Sequence, residues 1–299
     1  MKRIAAWMMF CLASAAVAGA RPTEPVLTAA DIVDKNVAAR GGIDAWRKIE
    51  TMVWVGHIES GNASAQRVPF MLGLKQPNKT RFEITMLNQK TVRAYDGGNG
   101  WKLRPARDGK PDIQPFTVEE LKFARDGQGI EGPLIDYRTK GVAVALEGVD
   151  SVEGHAAYRL SVKLPSGASR HVWIDAQTFL DIKSDREAHN AFGQAETVST
   201  YYRDYKTIDG LQIPMTMETG SDVAAKGRDK MVIDKVDLNP PLDDRMFAKP
   251  HVLGHRKVVA IEADPAQPFG RTVRPSPSGT RSMLDPGPTP VSGAGNVRP

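Results

Sequence analysis

Ala94-Tyr95-Asp96-Gly97-Gly98-Asn99-Gly100-Trp101-Lys102-Leu103-Arg104-Pro105 is the stretch that decides the fold class. Asp96-Gly97 and Asn99-Gly100 supply the positive-φ positions of a tight turn, set between short runs in which apolar and polar residues alternate. After the turn, the two-residue period of a strand places Trp101 and Leu103 on one face and Lys102 and Arg104 on the other. The expectation is an antiparallel hairpin whose Trp101 and Leu103 line a cavity while Lys102 and Arg104 meet water. No catalytic signature lies nearby, which favours a binding surface over a reaction centre.

The same period runs outward in both directions. Thr51 to Glu59 alternates Met52, Trp54, Gly56 and Ile58 against Val53, Val55, His57 and Glu59, and Thr80 to Met86 sets Phe82, Ile84 and Met86 against Arg81, Glu83 and Thr85. Strands resume at Val142 and continue to Leu238, punctuated by turn residues such as Glu153-Gly154, Pro165-Ser166-Gly167 and Asp209-Gly210. Helical signals are few. Thr28 with Asp31 caps a helix that Arg40-Gly41-Gly42 ends, a short helix over Ile43 to Lys48 carries Trp46, and Thr117-Val118-Glu119-Glu120 is a capping box stopped by Asp126-Gly127-Gln128-Gly129. Roughly eleven short strands with helices clustered at 28–48 and 117–125 are no βαβ rhythm. They predict a mainly β (α+β) chain, a large curled antiparallel sheet with helices against one mouth.

The two ends differ from the body. Lys2 and Arg3, an apolar run from Ile4 to Val17 and Ala18-Gly19-Ala20 predict a signal peptide over residues 1–20, cleaved before Arg21. The mature chain would then lie in an exported compartment, the periplasm. Its one cysteine, Cys11, sits in the apolar run, so disulfides, thiol catalysis and cysteine-ligated metals are excluded from the mature chain. Residues 251–299 are crowded with Pro, Gly, Ser and Thr and predict a disordered tail. The formal charge of +5 belongs to these ends, and the 21–250 domain is nearly balanced. A nucleic-acid role, which needs a basic face, is disfavoured.

Reaction chemistry is sparse. No Gly-x-Ser-x-Gly elbow or phosphate loop occurs, and the six histidines have no convincing ligand spacing. Asp243-Asp244 is the one obvious carboxylate pair and looks like a turn after Asn239-Pro240-Pro241. The apolar inventory is larger: Trp54, Phe70, Phe82, Ile84, Trp101, Leu103 and Trp173 are candidate lining residues for a greasy ligand, with no cofactor or metal.

At this point the chain resembles a family. Ala30-Asp31-Ile32-Val33 through Gly41-Gly42 to Met52-Val53-Trp54-Val55-Gly56, then Lys75-Gln76-Pro77-Asn78-Lys79-Thr80-Arg81-Phe82-Glu83, then Tyr95-Asp96-Gly97 to Trp101 and Pro105 come in the order of the outer-membrane lipoprotein-sorting proteins, the LolA-like periplasmic lipoprotein carriers. Val172-Trp173-Ile174-Asp175, Asp209-Gly210-Leu211-Gln212-Ile213-Pro214 and Asn239-Pro240-Pro241-Leu242-Asp243 continue it. The resemblance implies an incomplete β-barrel with a helical lid over an apolar cavity that shelters acyl chains, in a monomer that is not an enzyme. Its partners would be a lipidated protein or lipid acyl chains. Carriers of the family hold the lid with an Arg just before the Pro-Asn turn, and here that lid-contact position is Gln76. An alternative follows from that departure and the added tail: a sensor that uses the same half-barrel to detect lipids or lipoproteins and signals to an envelope membrane protein.

Overall fold

The computed structural model describes residues 27–60, 67–105, 111–127, 129–189, 193–221 and 227–250. The expected signal peptide and the Pro/Gly-rich tail lie outside the described residues. Thirteen strands form one antiparallel sheet: β1 (Thr51–Glu59), β2 (Arg67–Lys75), β3 (Lys79–Met86), β4 (Gln89–Tyr95), β5 (Gly100–Pro105), β6 (Pro111–Pro115), β7 (Ala143–Val152), β8 (His155–Lys163), β9 (Ser169–Asp175), β10 (Asp181–His189), β11 (Ala195–Ile208), β12 (Leu211–Ser221) and β13 (Asp229–Leu238). Their order is β6-β5-β4-β3-β2-β1-β13-β12-β11-β10-β9-β8-β7. All neighbours but one are consecutive, and the exception, β1 with β13, joins a first arm (β1–β6) to a second (β7–β13). The sheet is open, an incomplete barrel with few helices. Thirteen exceeds the expected eleven or so, and a strand with no expected counterpart is β6, an edge strand with Pro at both ends. Proline cannot donate to a ladder, so it hides an edge strand from a reading based on composition.

Local chemistry sets the connections. The hairpins at Glu153-Gly154 and Asp209-Gly210 have two residues at positive φ, +51° and +90° in the first and +47° and +86° in the second. That is the mirror-image turn whose twist suits paired strands. Helices α1 (Ala29–Ala39), α2 (Ile43–Arg47) and α3 (Val118–Arg125) are the three predicted ones. α1 and α3 both open on complete capping boxes, Thr28 with Asp31 and Thr117 with Glu120. Among the described residues no helix is long and apolar enough to cross a membrane.

The helices cover one face of the sheet, here the inner face. Under α2, Trp46 packs with Met52, Phe70, Ile84, Leu211, Ile213, Met215 and Ile233, and under α1, Ile32 and Val33 pack with Leu160, Val162, Val172 and Ile174. The register decides which residues share that face. Leu72 pairs with Phe82 and Phe70 with Ile84, while Phe82 pairs onward with Arg93 and Arg93 with Lys102. Lys102 is therefore on the inner face and Trp101 on the outer one, the reverse of the expected orientation. Trp101 packs with Val92 and Ala94 on the outer face, and its indole Nε1 donates to the carbonyl of Phe247 at 2.8 Å. Phe247, wholly buried, closes a 3-10 turn at Asp244–Met246.

This C-terminal closure is testable. Phe247→Ala should cost about 3–5 kcal/mol, the range for truncating a buried aromatic residue, read as a lower urea midpoint with an unchanged slope.

Candidate functional site

The central strands supply an apolar wall. Trp54 on β1 pairs with Leu72 on one side and Val236 on the other, and Phe70 stacks on Phe82 with ring centroids 5.8 Å apart. Phe70 and Ile84 are buried in this cluster, whereas Trp54, Ile58, Leu72, Phe82, Met217 and Met231 pack against it only half-buried. The indole Nε1 of Trp54 is buried and has no hydrogen-bond partner among the described residues. Four of the seven candidate lining residues, Trp54, Phe70, Phe82 and Ile84, thus come together on the inner face. The other three do not join them. Trp101 and Leu103 face outward, and Trp173 lies on the outer face beside Val152 and Ala157. There Trp173 donates to Asp150 at 2.9 Å and lines a small open cleft with Glu153, Lys183 and Tyr201.

A roof spans the two arms. On the first arm, Lys102 Nζ lies 3.0 Å from both carboxylate oxygens of Glu120 on α3, and Arg93 donates to the same group at 2.8 Å. Burial alone would raise the Glu120 pKa, but the Thr117 backbone N–H, Lys102 and Arg93 together hold it below its ordinary value. One carboxylate therefore closes the capping box and docks the helix. On the second arm, Arg170 donates to the carbonyl of Asp126 at 3.1 Å, and the Arg186 guanidinium lies 4.6 Å from the centre of the Phe123 ring. Asn78, from the Pro-Asn turn of the first arm, donates to the carbonyls of Ala124 and Arg125 at 3.1 Å. The C-terminal carbonyls of α3 are thereby satisfied by side chains.

The roof continues beyond α3. Ile130 and Ile135 enter the cluster around Trp46, and Leu134 enters the one beneath α1. Arg40, at the end of α1, donates to the Glu131 carbonyl at 2.9 Å. The sequence analysis assigns no element to this stretch, between the stop at Asp126-Gly127-Gln128-Gly129 and the strand at Val142. Its signal was the apolar triple Ile130, Leu134 and Ile135 between glycines.

No protein-family model matches the sequence, and no curated protein matches it with significance. Among solved structures the chain is similar to a LolA superfamily protein from Nitrosomonas europaea, at 13% identity over 75% of this chain and 99% of that one, with a TM-score of 0.51. The fold is LolA-like. A DUF1329 family protein from Desulfovibrio piger is a looser match, at 14% identity over 74% of this chain and 97% of that one, with a TM-score of 0.48.

Within this LolA-like fold, Gln76 touches the roof. Its Nε2 donates to the Glu131 carboxylate at 2.6 Å, and Lys140 pairs with the same residue at 2.6 Å. The position thus contacts the Glu131 segment through a neutral amide. Elsewhere the chemistry is structural. Asp243 is drawn down to about 2 by Arg245, and Lys75 and Lys79 lower the Asp244 pKa. Neither carboxyl is raised, as one would be in a pair sharing a proton. Among the described residues no group of three or more His, Cys, Asp or Glu side chains is placed to hold a metal ion.

The ion triad at Glu120 makes the docking of α3 pH-dependent. Because the folded pKa is depressed, its contribution is complete above the ordinary carboxylate range and is lost as pH falls through the folded value. Hydrogen exchange over residues 118–125, corrected for intrinsic rates, should be slow at pH 7 and rise below about pH 4. Glu120→Gln should abolish that dependence and leave Lys102 without its buried partner, at about 3–5 kcal/mol.

Proposed function

We propose that this chain is a periplasmic carrier or binding protein for a hydrophobic ligand, either the acyl chains of a lipoprotein or another lipid, and that it acts by binding without catalysis. One observation carries the reading: the row of half-buried apolar side chains, Trp54, Ile58, Leu72, Phe82, Met217 and Met231, on the helix-covered face of an open sheet. Burying a methylene is worth about 0.8 kcal/mol, so a long acyl chain needs little beyond a dry wall of this kind. Met and aromatic side chains tolerate a flexible ligand of no fixed shape. The unpartnered Trp54 Nε1 adds one donor in that wall, suited to the ester or amide carbonyl at the root of an acyl chain. Asp243 and Asp244, each held by basic neighbours, weigh against an acid–base hydrolase. The LolA-like fold, with the signal-peptide pattern at residues 1–20, supports an exported carrier.

The test is direct. Delipidated protein should take up a fluorescent fatty acyl probe, and Phe82→Glu should weaken uptake at least about tenfold, since a charge in an apolar wall costs more than a single tenfold step. Val149→Glu, at an exposed position, should leave uptake unchanged. Absence of uptake by the native protein, with no lipid found on it by native mass spectrometry, would overturn the proposal.

A further inference from the structure

The second arm carries two charges on the inner face that the apolar wall does not explain. Val172 on β9 pairs with Ser184 on β10, and Arg170 and Arg186 each stand two residues beyond that pair on the same face of their strands. The two arginines therefore share the inner face, where like charges repel. The Arg170 charge is felt at Arg186. Neither has a carboxylate within ion-pair distance among the described residues. Among the described residues Arg170 makes one hydrogen bond, to the Asp126 carbonyl, and Arg186 makes a ring contact with Phe123 and no hydrogen bond. Tyr202 and Asp126 act on Arg170, and Glu196 on Arg186, only at longer range. Glu196 accepts from the Ser221 hydroxyl at 2.7 Å.

The contrast with the first arm is informative. There Arg93 and Lys102 meet the same helix, and a buried carboxylate compensates both. Partly desolvated guanidiniums are costly unless paired and hydrogen-bonded, and burial pulls the pKa of both Arg170 and Arg186 down. Two adjacent guanidinium forks match a phosphodiester, whose oxygens accept bidentate donors.

We propose that Arg170 and Arg186 bind the anionic, phosphate-bearing headgroup of a lipid whose chains lie along the Trp54–Phe82 wall. The inference rests on the carrier reading and adds the chemical class of its ligand. The phosphate lies against the two guanidiniums, clear of the carbonyls that end α3, and Arg186 leaves its ring contact or shares it while its N–H groups take the phosphate oxygens.

The experiment loads the full, delipidated chain from vesicles doped with labelled phosphatidylglycerol or with labelled diacylglycerol of the same chains, and reads the ratio retained. The native protein should favour the anionic lipid. Arg170→Gln and Arg186→Gln should each lower phosphatidylglycerol retention about tenfold, the worth of a charge-assisted hydrogen bond. Diacylglycerol retention should stay unchanged, which also reports that the variants fold. Arg170→Lys and Arg186→Lys should keep most of the preference. Equal retention of both lipids by the native protein, or parallel loss of both in the glutamine variants, would overturn the headgroup proposal while leaving the carrier reading intact. Failure to retain either lipid would overturn both. Tight binding of glycerol 3-phosphate alone would reassign the site to a free phosphate and overturn the lipid form.

Discussion

An open sheet of thirteen strands exposes more inner surface than the helices among the described residues cover. At about 4.8 Å per strand the sheet is roughly 60 Å across. Helices of 11, 5 and 8 residues are about 17, 8 and 12 Å long and about 10 Å wide. The shortfall governs the rest of the structure. The irregular segment around Ile130, Leu134 and Ile135 crosses the inner face as extra roof, and Glu131 within it is bound by Gln76, Arg40 and Lys140. Even so, the wall on β1 to β3 and β12 to β13 remains half-covered. Apolar side chains left in that condition are costly in water, and an apolar guest of variable shape would complete the burial.

The roof itself depends on charge. An eight-residue helix is marginal alone, so α3 holds its place through tertiary contacts. Its first turn is fixed by the carboxylate of Glu120, shared by Lys102 and Arg93, and its last carbonyls by Asn78 and Arg170. Acid at the start and donors at the end both complement the helix dipole. Because its last turn is held by Asn78 of the first arm and Arg170 of the second, α3 ties the arms together. Any group that drew Arg170 from the Asp126 carbonyl would remove a contact from the second arm alone, leaving the Glu120 end docked.

How much of this was legible in the sequence follows from what periodicity measures. Alternation located the hairpins, and Thr117 with Glu120 announced a helix start that the structure repeats atom for atom in its capping box. Alternation does not say which face is which. At Gly100–Pro105 both faces are buried: Trp101 beneath Phe247, and Lys102 against Glu120. A rule that sends the lysine to water fails where a carboxylate from a helix some eighteen residues away is waiting for it. That pairing is long-range and leaves no local mark. Trp173 misleads for the same reason, since Asp150 and Lys183 surround it on the outer face.

The reversal has a further consequence across the sheet. On β1, β2 and β3 the inner positions include Trp54, Phe70, Leu72, Phe82 and Ile84, all apolar. On β4, β5, β9 and β10 they include Arg93, Lys102, Arg170 and Arg186, every one of them in contact with α3 or the residue after it. A strand buried on both faces tolerates a charge only where a partner meets it. Period-two cations in such strands therefore mark the line along which the roof touches the sheet. The inner face then runs from apolar at its centre to cationic beneath α3, which is the polarity of an amphiphile laid along it. Glu120 answers the cations of the first arm, and the arginine pair of the second arm is where an anionic group from outside the chain would fit.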